Sequence, residues 1–517
     1  MSRYPFCAVA LLVACSSNEL TPPSGVAGDG TAGGGQANSA AGGAAAGSVA
    51  GTPAAGGATA GLGGTTPQAG GAGGAAGGGA AGTAGSGVEE ACVGKAELPT
   101  RPNVVIFIAD DHSQADSSPY GNDLVETPTM DKLANAGVRF DRAYVGSPSC
   151  APSRAIMQTG LMSVKNGAQA NHEQPYPEVK KLATYLKELD YTVAAFGKVG
   201  HNSNKNYDFD TLGPEVLASV EYLEGYASEQ PLLLFAGSHD PHVPWPDNRY
   251  EGAEVELPEG FIDDANGVTR EQRRYYYTDI NNVDGELDQV YEAAKARFGD
   301  NLLFLYTADH GSQWPFAKWT LYEAGVRVPL LAVWPNVLQA GSASSAMVSW
   351  LDFLPTLIEL AGGQVPAELE GQSFLPLLRC ETTAHHDSLF VTHTGDLAPY
   401  PARAIVTETH KYIKNLHPEF KFTTHLDQQA GPDYPHSLYW LDWEADTRPE
   451  SVATVQRYYV HPAEELYDLV SDPHELHNLA ADPAQAALLD ELSSRVDEWM
   501  TKQGDTGYVH PEPVYLE

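Results

Sequence analysis

The sequence predicts an α/β protein. Its main body is a large doubly wound mixed sheet flanked by helices, followed by a smaller C-terminal α+β subdomain with an antiparallel sheet. Three observations carry this. Apolar, β-branched runs at Asn103–Ala109, 231–237 and 301–306 read as strands buried on both faces. Segments with helical spacing lie between them, the pattern of crossover connections in a mostly parallel sheet. From about His385 the strand-like pieces shorten (389–392, 404–407, 411–416), and Tyr434, Tyr439, Trp440, Trp443, Tyr458 and Tyr459 crowd together.

The elements follow in order. The first strand ends in Asp110-Asp111-His112. Open α/β sheets bind ligands at strand C-termini, although a turn or helix cap uses the same residues. Residues 127–137 form a short amphipathic helix, begun by Thr127 or Thr129 and stopped by Gly137. Residues 138–145 lead to Ser149-Cys150-Ala151-Pro152-Ser153-Arg154, where Pro152 and Ser153 suit a first helical turn and Gly160 a stop. A thiol at a helix start lies beside unpaired N–H groups and the positive dipole end. A buried structural thiol fits the hexapeptide equally well.

Residues 179–189 read as a helix and 191–196 as a strand, ending in Gly197-Lys198-Val199-Gly200-His201. The strand at 231–237 runs into Ser238-His239-Asp240-Pro241-His242, a loop stiffened by its prolines. Residues 275–298 have helical periodicity, and 301–306 form a fourth strand ending near Asp309-His310-Gly311, with Lys318 close behind. A fifth strand covers 330–334. A helix at 350–361 holds Pro355, as a kink or a first-turn residue. A helix near 483–499 closes the chain.

Composition bounds the rest. Residues 25–87 are almost wholly Gly, Ala, Ser and Thr, so they have nothing to bury and read as a disordered spacer. The formal charge of −37 disfavours nucleic acid or an anionic membrane surface as the main partner. An anionic substrate would need a local basic island. Arg3 and the short apolar run 5–14 read as an export signal, well below the ~20 residues that span a bilayer. Leu12-Val13-Ala14-Cys15-Ser16 resembles the bacterial lipobox, which implies lipid on Cys15 and anchorage to a bacterial membrane, periplasmic or at the cell surface. The expected organisation is a leader at 1–15, a linker at 16–98, a catalytic domain at 99–384 and a subdomain at 385–517. Of the five cysteines, Cys92 and Cys380 are left over as a pair that an exported protein could oxidise.

The residues at strand ends make one set: Asp110, Asp111, Lys198, His201, His239, His242, Asp309, His310 and then Lys318. In a doubly wound sheet these ends converge on one crevice. Three carboxylates with a nitrogen neighbour suit a hard divalent cation, Ca²⁺ or Mg²⁺, and the absence of clustered thiols disfavours structural zinc. Lys198, Lys318 and Arg154 supply the basic island.

This pattern resembles the formylglycine-dependent sulfatases of the alkaline phosphatase superfamily. Cys150-Ala151-Pro152-Ser153-Arg154 with Thr159-Gly160 matches the C-x-P-S-R signature and its trailing T-G. Asp110-Asp111, Gly197-Lys198 with His201, His242-Val243-Pro244, Asp309-His310-Gly311 and Lys318 match in type and order. So do Leu351–Thr356, Gly371–Leu378 and Glu465–Leu469. Two residues separate Lys198 from His201, a spacing also found in iduronate-2-sulfatase-like members. His239-Asp240-Pro241-His242 leans toward the glycosaminoglycan sulfatases, heparan N-sulfatase among them.

The resemblance implies that a modifying enzyme, the formylglycine-generating enzyme, oxidises Cys150 to formylglycine, whose hydrate attacks sulfur. Asp110, Asp111, Asp309 and His310 would hold the cation, with residue 150 beside it as a further ligand. Arg154 and Lys198 would hold the diol. Lys318, His242 and His239 would bind sulfate or substrate, His242 as acid, and His201 would act as base. The substrate would be a sulfated small molecule or glycan. Two rivals remain: a phosphate or phosphonate ester hydrolase of the same superfamily, and a non-catalytic lipoprotein that binds sulfated glycans.

Overall fold

Strand β1 (Asn103–Ala109) is an interior strand of the large sheet, and all seven of its residues are buried. In this computed structural model the described residues are 101–201, 203–246, 249–509 and 513–516. The leader, Cys15 and the Gly/Ala-rich linker lie outside them. The described residues fall in one unit, Ala84–Glu517. Among them no helix is long and apolar enough to cross a membrane. Cys380 is disulfide-bonded, and its partner lies outside the described residues.

The remaining strands of the large sheet are β2 (Val138–Tyr144), β3 (Thr192–Gly197), β4 (Thr211–Gly213), β5 (Leu232–Gly237), β6 (Leu302–Ala308), β7 (Arg327–Val328), β8 (Leu330–Val333) and β9 (Ser342–Ser349). This nine-stranded sheet has the order β4-β3-β5-β1-β6-β8-β2-β7, with β9 beside β2. Strands β3, β5, β1 and β6 are parallel neighbours, whereas β8 runs antiparallel to β6 and β2. The sheet is therefore mixed, as expected. The register puts Gly197 opposite Gly237 and Ala109 opposite Ala308, so the four parallel strands end side by side. Gly197 has φ +68°, and a Cβ there would lie 2.0 Å from the Gly237 carbonyl oxygen. No other residue fits that crossing.

A second sheet is an antiparallel meander: β10 (Ser388–Gly395), β11 (Pro399–Thr407), β12 (His410–Asn415) and β13 (Glu464–Asp468). The helix Ala486–Gln503 covers one face, burying Leu492 and Val496 against Ile405, Tyr412 and Leu466. Arg403 on β11 is 1% exposed. It pairs with Asp505 at 2.5 and 3.0 Å and donates to the His393 carbonyl at 2.6 Å. Arg403→Ala should destabilise the protein by about 3–5 kcal/mol in denaturant unfolding, because it strips a buried carboxylate of its partner. Burial alone would raise the Asp505 carboxyl, but Arg403 holds it below its ordinary value. This contribution is therefore full above an unfolded value of about 4 and is lost as pH falls through the lower folded value.

Several elements differ from the sequence expectation for identifiable reasons. The helix expected at 179–189 is shorter, Leu182–Glu188, because Lys181 stays extended. The helix expected from 275 begins at Val268 and runs to Phe298. Asp264 accepts the N–H groups of Val268 (3.0 Å) and Thr269 (2.7 Å) and so adds two turns. Pro355 sits in the first turn of Phe353–Leu360, so it marks a start and not a kink. The crowded aromatics, which the sequence assigns to no element, lie mostly on two helices, Leu438–Ala445 and Pro449–Tyr459. Trp443 fastens the first of these to the long helix by donating to Thr269 Oγ1 at 2.8 Å.

Candidate active site

The strand ends bring the polar residues together. Asp110 follows β1, Lys198 follows β3, the 238–242 loop follows β5, and Asp309 follows β6. The ladder continues past the strands: Lys198 N–H donates to Gly237 O (2.9 Å), Ser238 N–H to Ile108 O (2.9 Å) and Asp309 N–H to Ala109 O (3.1 Å). Each functional side chain thus starts from a backbone fixed by the sheet.

Cys150 is the first residue of the helix Cys150–Thr159, which Gly160 ends with φ +64°. All ten residues of this helix are buried. Ser153 donates to the Asp309 carbonyl at 2.6 Å and ties the helix to the end of β6. Trp319 N–H donates to Pro148 O at 2.8 Å, which docks the Lys318 loop beside the cysteine. The Cys150 Sγ lies 3.2 Å from His310 Nε2 and 3.8 Å from both Lys198 Nζ and Asp110 Oδ1.

Asp110, Asp111 and Asp309 are all 0% exposed. Arg154 meets Asp309 at 2.8 Å and Asp110 at 3.3 Å. Lys198 pairs with Asp110. Lys318 Nζ meets both Asp111 oxygens, at 2.7 and 2.9 Å. His310 Nε2 stands 3.3 Å from Asp111 and 3.7 Å from Asp309. Ligand atoms of Asp110, Cys150, Asp309 and His310 lie within 4.8 Å of one another, and those of Asp111, Cys150 and His242 form an overlapping group. Buried, oxygen-rich and close together, this cluster suits a metal ion.

The charges set the protonation states. Burial would raise the Asp110 carboxyl, yet Lys198, His242, Arg154 and Lys318 hold it well below the usual range. Asp111 is pushed up to about 7 by burial, which Lys318 and His310 only partly offset. His310 reaches about 9: burial opposes its charge, but Asp309, Cys150 and Asp111 outweigh it. Burial would raise the Cys150 thiol, and Lys198 and Lys318 bring it below its ordinary value. Burial and nearby lysines keep His242 well below the usual imidazole range. His201 is lowered to about 3, by burial and then Lys198.

His242 reaches the cluster, with Nε2 3.9 Å from Asp111 and Nδ1 bonded to the Val243 carbonyl at 2.7 Å. His201 is set back. Its Nε2 bonds to His172 Nδ1 at 2.8 Å, and its Nδ1 is buried without a partner. His239 stands exposed at the rim.

A second ring of residues escapes sequence reasoning. Asn171 Oδ1 accepts the N–H of Ala151 at 3.3 Å, next to Cys150, and its side chain also bonds to Asp396. Asp396 meets His425 Nδ1 at 2.6 Å, and His425 stacks on Trp319, the neighbour of Lys318, at 5.4 Å. His436 contacts Trp245 at 6.2 Å and is held at about 4 by burial, His425 and Lys318. These are isolated polar residues in loops and short helical turns, and no spacing in the sequence marks them.

The chain resembles known proteins over most of its length. The family model described as Sulfatase matches residues 102–220 and 216–363, just over half of the chain. The model for the N-sulphoglucosamine sulphohydrolase C-terminal region matches 310–450. An ulvan-active sulfatase of Formosa agariphila is 30% identical over 424 residues, covering 79% of this chain and 82% of that protein. The human N-sulphoglucosamine sulphohydrolase is 26% identical, covering 80% and 93%. A solved 2-O glycosaminoglycan sulfatase superposes with a TM-score of 0.62 at 23% identity, covering 80% and 95%. On the extent of these matches, the chain belongs to the sulfatase family.

Proposed function

We propose that this chain hydrolyses sulfate esters or N-sulfates of a carbohydrate, through a formylglycine made from Cys150 and a divalent cation, Ca²⁺ or Mg²⁺. The observation that carries it is the convergence of His310, Lys198 and Asp110 on the Cys150 Sγ at a helix N-terminus. The sulfated saccharides named for the relatives support the substrate class. Asp110, Asp111, Asp309 and His310 would hold the cation, with residue 150 beside it. A bound cation would withdraw charge from the sulfate oxygens and favour the ionised nucleophile. The formylglycine hydrate would supply one hydroxyl for attack on sulfur and a second for sulfate release.

The chain's own residues do the rest. Arg154, Lys198 and Lys318 balance the three carboxylates, so a divalent cation leaves a surplus positive charge where a sulfate anion docks. Lys318 and His242 grip the sulfate. The Val243 carbonyl keeps the His242 proton on Nδ1, so Nε2 faces the site. An arriving anion favours protonation of Nε2, and His242 can then protonate the leaving group. Arg154 and Lys198 hold residue 150. With the shared proton on His201 Nε2 in its bond to His172, Nδ1 would be the bare acceptor that a base needs. Cys150 is 1% exposed, so the modifying enzyme would act before the chain folds. We also propose export and lipid anchorage through Cys15.

The saccharide would lie against His239 at the rim and against the wall made by Asp396, His425 and His436. His425→Gln should raise KM for a sulfated saccharide roughly three- to tenfold, the loss of one contact, and leave kcat on a small aryl sulfate unchanged. Equal KM values would remove this wall from the substrate path. The function itself is tested by kcat/KM on sulfated saccharides beside aryl phosphates; a preference for the phosphates would overturn it.

A further inference from the structure

A second cluster shares no residue with the one around Cys150. Asp352 is 0% exposed, in the capped turn Trp350–Asp352 that follows β9. Its carboxylate is fixed: Oδ1 accepts the N–H of Gln372 at 2.8 Å, and Oδ2 accepts that of Ser349 at 2.8 Å. His385 and His386, just before β10, both bring Nε2 to that same Oδ2, at 3.2 and 2.9 Å. Successive side chains in extended backbone point to opposite sides. Here two adjacent imidazoles converge on one atom, with ring centroids 4.2 Å apart. Both are held in place. The His386 backbone bridges Met347 of β9, and the His385 ring packs edge-on to Phe374 at 6.4 Å.

A carboxylate oxygen offers about two acceptor positions. Ser349 uses one on Oδ2, so two Nε2–H groups contend for the other. A single cation in place of both protons leaves two partners for two positions and frees both imidazoles to ligate. The spacing agrees. Four-coordinate zinc with bonds of about 2.0–2.1 Å sets its ligand atoms about 3.3 Å apart. We propose that Asp352, His385 and His386 form a second metal site, which takes Zn²⁺ or another late first-row divalent cation and not Ca²⁺. The ligand atoms of this one buried carboxylate and two histidines all lie within 4.8 Å of one another. The His386 ring, 18% exposed, opens the fourth position to solvent. A cation here staples the turn after β9 to the first strand of the antiparallel sheet.

The test is a Zn²⁺ titration by calorimetry, in excess Ca²⁺, of the chelator-stripped full chain and of His386→Gln and His385→Gln. Glutamine keeps an N–H for Asp352, so the variants should melt with the wild type when zinc is absent. The wild type is expected to bind one zinc equivalent more than either variant, or to bind it at least 100-fold tighter. Co²⁺ should give the wild type a visible tetrahedral absorption that both variants lack. Equal zinc stoichiometry and affinity in all three proteins would overturn the site. A zinc-dependent rise in melting temperature equal in all three would do so as well.

Discussion

Cys150→Ala is expected to lower kcat on a sulfated saccharide by on the order of 10⁴–10⁶, the loss seen when a covalent nucleophile is removed. The fold should survive. The thiol touches His310, Lys198 and Asp110 only at 3.2–3.8 Å, and its removal opens a small cavity costing about 1 kcal/mol. Arg154, Lys198 and Lys318 stay paired with their carboxylates in this variant, so sulfate binding should persist while turnover stops. A melting curve beside the kinetics separates the two effects. A Cys150→Ala variant that still turned over at about a tenth of the wild-type rate, far above the loss expected for a missing nucleophile, would remove Cys150 from the chemistry.

Asp309→Asn is the second variant with a large expected effect. Asp309 accepts Arg154 Nε at 2.8 Å through one oxygen and the Asp111 N–H at 3.1 Å through the other. An amide oxygen can still accept a bond but carries no charge for a cation. Activity should fall by about 10²–10⁴. Added Ca²⁺ should raise the melting temperature of the wild type and leave that of the variant unchanged. Loss of one buried charge should also destabilise the variant by about 3 kcal/mol, since Asp110 is then the one carboxylate among the described residues that pairs with Arg154. If Asp309→Asn kept full activity and the same calcium-dependent shift, the cation would have to sit elsewhere.

The sequence is most legible where local pattern and tertiary role coincide. β1 reads as a buried strand because nearly every residue is apolar, and its doubly covered position between β5 and β6 needs that. Asp110, Lys198 and Asp309 can be placed together because parallel strands end on one side of a sheet. Strand β9 carries no such signal, since Ser-Ala-Ser-Ser-Ala-Met-Val-Ser has few large apolar side chains; among the described strands its ladder partner is β2. The helical aromatics are hard to assign because Trp440, Trp443 and Tyr458 are buried by contacts with one another and with the long helix, contacts between distant segments. His172 and Asp396 reach the site from loops whose paths are set by packing, so no periodicity in the chain announces them.

In the proposed mechanism the working group is made from Cys150, and the encoded thiol is only its precursor. Mass spectrometry of the peptide containing Cys150, from protein produced alongside the modifying enzyme, tests it most directly. The expected result is that the cysteine sulfur is gone, that an aldehyde reactive toward hydrazides stands in its place, and that activity rises in proportion to the converted fraction. A preparation that cleaves sulfate esters while this peptide carries only the unmodified thiol would contradict it.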